Sequence, residues 1–266
     1  MTTQTMHTKE TKMAAFGRLL DIMDDLRVKC PWDKEQTNES LRPMTIEETY
    51  ELSEAILKQD ASQISKELGD LLLHIVFYAT IGEEQRTFDI QNVCEQLAEK
   101  LIYRHPHIFS DTQVADARQV ERNWESLKLK EKDGNKSVLA GVPDSLPSMI
   151  KAFRMQDKAR GVGFDWSRKE QVWEKVKEEI SELQAEVDTQ DMPSMEAEFG
   201  DVFFSLVNVA RLYGINPDNA LELTNKKFRQ RFNYLEEKTL GLGKSLHSMT
   251  LEEMDVLWKE AKRKGL

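Results

Sequence analysis

The chain has 266 residues, a net charge of −10, 32% charged residues and a mean hydropathy of −0.58, which describes a polar protein long enough for two domains. The acidic balance argues against a nucleic-acid partner, since binding to phosphate backbones draws on a surplus of Lys and Arg. Two cysteines build no disulfide framework, the amino-terminal stretch is polar, and no apolar run is long enough to span a bilayer; the expected location is the cytoplasm, with no membrane partner.

Apolar residues at Phe16, Leu19, Leu20, Ile22, Met23 and Leu26 predict a first helix over 15–28, ending near Cys30-Pro31. A second is expected over 45–58 with Leu52, Ala55 and Ile56 facing inward, and a third over 61–81, apolar almost all round after Asp70 and therefore central. A fourth follows over 89–103, then a charged helix over 115–130. Gly134, Gly141, Pro143 and Pro147 mark a linker over 131–148. Helices are then expected over 150–160, 169–188, 195–213, 217–239 and 251–264, and no period-two strand pattern occurs. The fold class is all-α: an amino-terminal helical unit over 1–130 and a carboxy-terminal one over 149–266, each a small antiparallel bundle.

The two units are related. Glu47, Glu48, Glu51, Glu67 and Asp70 recur as Glu178, Glu179, Glu182, Glu198 and Asp201, each pair separated by 131 positions, and 11 of the 33 residues over 47–79 are identical to those 131 further on. Residues three or four apart share a helix face, so Glu48 with Glu51, Glu67 with Asp70, Glu179 with Glu182 and Glu198 with Asp201 each present two carboxylates in one direction. Such like-charge pairs repel. A hard divalent cation, Mg2+ or Mn2+, relieves that repulsion with oxygen ligands and leaves positions for water and phosphate. A di-iron bundle would instead need Glu-x-x-His from each of two helices. The counterpart of His74 is Ser205, so His74 reads as a core histidine.

Basic residues follow each acidic set: Lys100 and Arg104 in the first unit, and Asn225 with Lys226, Lys227, Arg229 and Arg231 in the second. Lys227 and Arg231 share a face and suit a polyphosphate. Trp32, Trp166 and Trp258 offer rings for a nucleobase or for packing, and packing is favoured for Trp32 and Trp166.

Taken with Cys30-Pro31-Trp32-Asp33, Arg104-His105-Pro106-His107, Gly141-Val142-Pro143 and Val162-Gly163-Phe164-Asp165-Trp166, the tandem EExxE and ExxD motifs resemble those of the MazG nucleoside triphosphate pyrophosphohydrolases. The resemblance covers nearly the whole chain. It implies hydrolysis of nucleoside triphosphates to the monophosphate and pyrophosphate, with Mg2+ as cofactor and a homodimer as the assembly. It further implies metal ligation by Glu179, Glu182, Glu198 and Asp201, and at a second site by Glu48, Glu51, Glu67 and Asp70. Catalysis is expected from the carboxy-terminal unit through Glu178, Glu179 and Glu182, and nucleotide contacts from Lys175, Asn225, Lys227, Arg229, Arg231 and Trp258. Where the family tends to carry a basic residue before ExxD, this chain has Ser194. The competing reading of the same residues is a nucleotide-sensing regulatory module with little turnover.

Overall fold

The computed structural model describes residues 7–116, 119–120, 123–124, 127–128, 137–241, 243 and 245–266, and among them every regular element is helical. Two compact units divide the chain, residues 1–112 and 113–266. Of the charged helix expected over 115–130, residues 119–120, 123–124 and 127–128 are helical; 117–118, 121–122, 125–126 and 129–130 lie outside the described residues. So do 1–6 of the polar amino terminus and 131–136 of the expected linker.

In the first unit α1 spans Lys9–Lys29, α2 Pro31–Glu35, α3 Asn38–Lys58, α4 Ala61–Glu84, α5 Ile90–Arg104 and α6 Pro106–Phe109. Helix α3 begins seven residues before the expected position. Thr37 caps it, accepting from the Ser40 backbone N–H while the Ser40 hydroxyl accepts from the Thr37 N–H, and Pro43 lies inside the helix instead of ending it. The core joins α1, α3 and α4 through Met23, Leu41, Val76, Phe77 and Ile81. His74 is buried here, its Nδ1 2.9 Å from Thr45 Oγ1, which is also 2.7 Å from the Tyr78 hydroxyl. Trp32, expected to pack, is 55% exposed on the five-residue helix α2 that Pro31 opens.

In the second unit α7 spans Ser148–Gly161, α8 Lys169–Thr189, α9 Met192–Leu212, α10 Pro217–Gly241 and α11 Leu251–Arg263. Val172, Val176 and Val209 form the α8 to α9 core, and Leu235, Thr239 and Ala261 are buried on α10 and α11.

The repeat extends to backbone geometry. Gln59 ends α3 in the left-handed region at φ 56, and Gln190, 131 residues on, ends α8 at φ 58; each N–H caps the last helical turn. Asp60 and Asp191 then start α4 and α9. This tight connection folds two long helices back on each other. At about 1.5 Å rise per residue, Glu48 and Asp70 stand at nearly equal heights above the turn, as do Glu179 and Asp201. The duplicated hairpin therefore brings together carboxylates that are about twenty residues apart in sequence. A second shared feature lies on α4 and α9: Leu68, Leu72 and Ile75 are exposed along one face, and so are their counterparts Phe199, Phe203 and Leu206.

Candidate metal and nucleotide site

In the second unit, Glu179 and Glu182 from α8 and Glu198 from α9 each bring one carboxylate oxygen to within 4.8 Å of the others. Glu179 is 7% exposed, and Glu198 Oε2 is buried with no donor to satisfy it. Lys175 partly balances the charge, with Nζ 2.7 Å from Glu178 Oε1 and 2.8 Å from Glu179 Oε1. Those two hydrogen bonds hold its ammonium group above the usual lysine range. Hydrogen bonding with Glu179, and then desolvation, pushes the Glu182 carboxyl up. Three crowded carboxylates with one unsatisfied buried oxygen fit a hard divalent cation, because an all-oxygen donor set is what such ions take and the orphaned acceptor would gain a partner. Asp201 stands outside this group of three, exposed, on the wall of the adjoining cavity.

The first unit gathers a related but different set. Glu48, Glu67 and Asp70 come within 4.8 Å, while Glu51 stays outside. Glu67 is buried with Oε2 lacking a donor, and desolvation, followed by the charges of Asp70, Glu51 and Glu67, pushes the Glu48 carboxyl up. Here the balancing cation is Lys66, 3.0 Å from Glu67 and 3.5 Å from Asp70. The two lysines are not repeat partners, since Ala197 stands opposite Lys66 and Met44 opposite Lys175. The counter-charge thus comes from α4 in one unit and from α8 in the other.

A cavity of about 630 Å³ adjoins the second acidic group, with Lys175, Glu179 and Asp201 on its wall. Trp166 lies on this wall, contrary to the packing expectation, along with Phe164. Gly163, at φ +92, turns the chain after α7, and Asp165 then pins that loop to α9 by pairing with Arg211, whose side chain is 6% exposed. Burial pushes the Asp165 carboxyl up, but the hydrogen bonds from Arg211 and the Trp166 N–H outweigh it and leave the group below its ordinary value. Ser205 and Asn208 also line the cavity. At the equivalent positions of the first unit stand His74 and Phe77, both buried, with Phe77 in the core beside Met23 and Leu41. Large side chains fill in one unit the space that small polar ones leave open in the other.

The remaining expected nucleotide residues form a separate group on α10 and α11. Arg231 places its guanidinium 5.7 Å from the Trp258 ring centroid and donates from Nε to the Leu266 carbonyl at 2.7 Å, and Phe228 lies 5.2 Å from Trp258. Asn225 and Arg229 line a shallow depression with Phe228 and Phe232. Among the described residues no ion pair joins Lys227, Arg229 or Arg231 to an Asp or Glu side chain. Gln156, Asn208 and Arg211 gave no signal in the sequence: each is a polar residue in an amphipathic helix, and only the tertiary contacts single them out.

The sequence profile of the MazG nucleotide pyrophosphohydrolase domain matches residues 36–109 and 168–235, segments that contain both acidic groups. The chain is 39% identical over 261 residues to a nucleoside triphosphate pyrophosphohydrolase of Escherichia coli K12, covering 96% of this chain and 99% of that one. With the nucleoside triphosphate pyrophosphohydrolase/pyrophosphatase MazG of Thermotoga maritima it shares 42% over 250 residues, 93% of this chain and 95% of that one. It is also 46% identical over 260 residues to the protein YabN of Bacillus subtilis, which spans 96% of this chain and 53% of YabN.

Proposed function

The chain belongs to the MazG nucleotide pyrophosphohydrolase family, and from that premise we propose that its carboxy-terminal unit hydrolyses nucleoside triphosphates to monophosphate and pyrophosphate with Mg2+ held by Glu179, Glu182 and Glu198. The observation that carries this reading is the buried Glu198 Oε2, left without a donor, in a group of three carboxylates that opens on a cavity. The filled space around His74 and Phe77 supports giving the catalysis to the second unit. Glu48, Glu67 and Asp70, with Glu51 nearby, then serve structure or regulation.

In the proposed reaction a water attacks the α-phosphorus, the bond from that phosphorus to the bridging oxygen breaks, and pyrophosphate leaves in line with the incoming oxygen. A bound Mg2+ supplies neutralisation of phosphate charge and acidifies water. Glu178 stands beside the metal-binding group and is half exposed, which suits it to accept the water's proton. Asp201, on the cavity wall and outside the group of three, would add a fourth ligand from α9. Lys175 moves its charge from Glu179 to the phosphate oxygens once substrate arrives. Lys227 and Arg231, which pair with no Asp or Glu side chain among the described residues, stabilise the leaving pyrophosphate, with Asn225, Arg229 and Trp258 on the same helical surface.

Self-association along the exposed faces of α4 and α9 gives the homodimer. Two free cysteines fit a cytoplasmic setting, and among the described residues no helix is long and apolar enough to cross a membrane.

Pyrophosphate release measured with and without Mg2+ tests the reading. Glu182 is exposed, so Glu182→Ala leaves the fold intact and is expected to lower kcat at least about 100-fold, a typical loss for a group that stabilises transition-state charge. Glu48→Ala is expected to retain most of the turnover. Full turnover in Glu182→Ala and in the double variant would refute the metal assignment.

A further inference from the structure

One group on the cavity wall has no part in phosphate chemistry. Gln156, on α7, is 7% exposed. Its Nε2 donates to the Phe204 carbonyl of α9 at 2.8 Å, which fixes the orientation of the amide, since the reversed amide would set two carbonyl oxygens against each other. Oε1 is therefore the free end. It is buried, and among the described residues no group donates to it. A buried amide oxygen without a donor loses its hydration for nothing in return, so the site is incomplete until some donor enters.

The surroundings limit what that donor is. The same cavity that Lys175, Glu179 and Asp201 approach from their side carries Gln156, Asn208, Phe164 and Trp166 as neutral members of its wall. Asn208 Oδ1 accepts from Arg211 Nε at 3.2 Å and Nη2 at 2.8 Å, which leaves its Nδ2 as a second polar group and an N–H donor. Aromatic faces with one fixed acceptor and one donor match a flat heterocycle bearing an N–H beside a ring nitrogen or carbonyl. Deepening the reading given above, and resting on it, we propose that this cavity takes the nucleobase of the triphosphate and that Gln156 Oε1 accepts the N–H of its Watson–Crick edge.

The chemistry has a specific consequence. Adenine and cytosine offer an amino N–H on that edge, guanine and uracil a ring N–H, so one acceptor admits all four and rejects a base that has no donor. Stacking on Phe164 and Trp166 is equally tolerant, because every base has a π-face. The pocket reads the presence of a base with a donor, and not which base it is.

The test compares ATP with purine riboside 5′-triphosphate, which lacks only the 6-amino group, in the intact protein and in Gln156→Met. The wild-type protein is expected to favour ATP by about tenfold in kcat/KM, mostly through KM, the size of effect an unpaired buried hydrogen-bonding group produces. In Gln156→Met the two substrates become equal because ATP loses its advantage while the analogue is unaffected. A merely structural glutamine would lower both alike. Discrimination that persists in the variant, or that the wild type never shows, overturns the proposal. Phe164 is 82% exposed and can be truncated without harm to the core; Phe164→Ala is expected to raise KM for every nucleoside triphosphate and to leave the affinity for inorganic tripolyphosphate unchanged, and an unaltered KM counts against the pocket. If the wild-type protein releases no pyrophosphate from any nucleotide, the reaction assignment fails, and calorimetric binding of adenosine against purine riboside still decides the pocket: equal binding, or none, overturns it.

Discussion

Asp165 and Arg211 tie the aromatic loop to α9 through a pair whose arginine is almost wholly buried. Removing the carboxylate leaves that guanidinium with Asn208 as its remaining partner, so Asp165→Asn is expected to cost about 2 to 3 kcal/mol at neutral pH, toward the lower end of what breaking a buried pair costs because Asp165 keeps some solvent. The pH dependence follows from the direction of the shift. The folded-state value of Asp165 lies below its ordinary 3.8, so the stabilisation is complete above the ordinary value and is lost as pH falls through the folded one. Urea titrations of the wild type and Asp165→Asn should therefore differ fully at pH 6 and begin to converge as pH falls below 3.8. The acidic residues of the site were legible in the sequence because duplication repeats them at a constant interval and because charge at helical spacing needs a counter-charge. Gln156 and Asn208 were not, since an unpaired acceptor becomes visible only when the other end of its amide is seen to be tied. Trp32 and Trp166 went the other way, read as packing yet exposed or lining a cavity.

At the scale of the element, the α3 to α4 and α8 to α9 hairpins each turn through a glutamine in the left-handed region. A side chain there crowds the following carbonyl, at a cost of about 1 to 2 kcal/mol that glycine avoids, offset in part by the greater freedom of glycine in the unfolded chain. Gln59→Gly and Gln190→Gly are each expected to raise stability by about 0.5 to 1 kcal/mol, read as an upward shift in Tm, with pyrophosphate release unaffected. A loss of stability in both would mean that the glutamine side chains hold the turn. The long helices were legible from apolar periodicity, whereas the short α2 and α6, each opened by a proline, were not expected, and helix ends were less legible still. The second helix was expected from Thr45, whereas reciprocal capping by Thr37 and Ser40 starts it at Asn38. Caps and turns are decided by a few hydrogen bonds, which leave a fainter trace in sequence than an apolar stripe.

For the molecule as a whole, the exposed row Leu68, Leu72 and Ile75 and its copy Phe199, Phe203 and Leu206 leave more apolar surface in two continuous lines than scattered surface residues do. A second copy of the chain is the expected cover. Sedimentation should give the wild type twice its 30.8 kDa chain mass, and Phe203→Glu combined with Leu72→Glu should return it to the single mass with its helical content retained. A wild type already at the single mass would rule out the dimer. The periodicity that revealed these helices could not separate a face turned inward from a face awaiting a partner, because both are apolar at the same spacing. The two lysines have a different implication. With Lys66 and Lys175 resting on the acidic groups, each unit carries its own stand-in for an ion. On the proposed metal dependence, the chain is then expected to reach its native form without the ion, so that withdrawing metal stops turnover without unfolding the protein and adding it back restores activity.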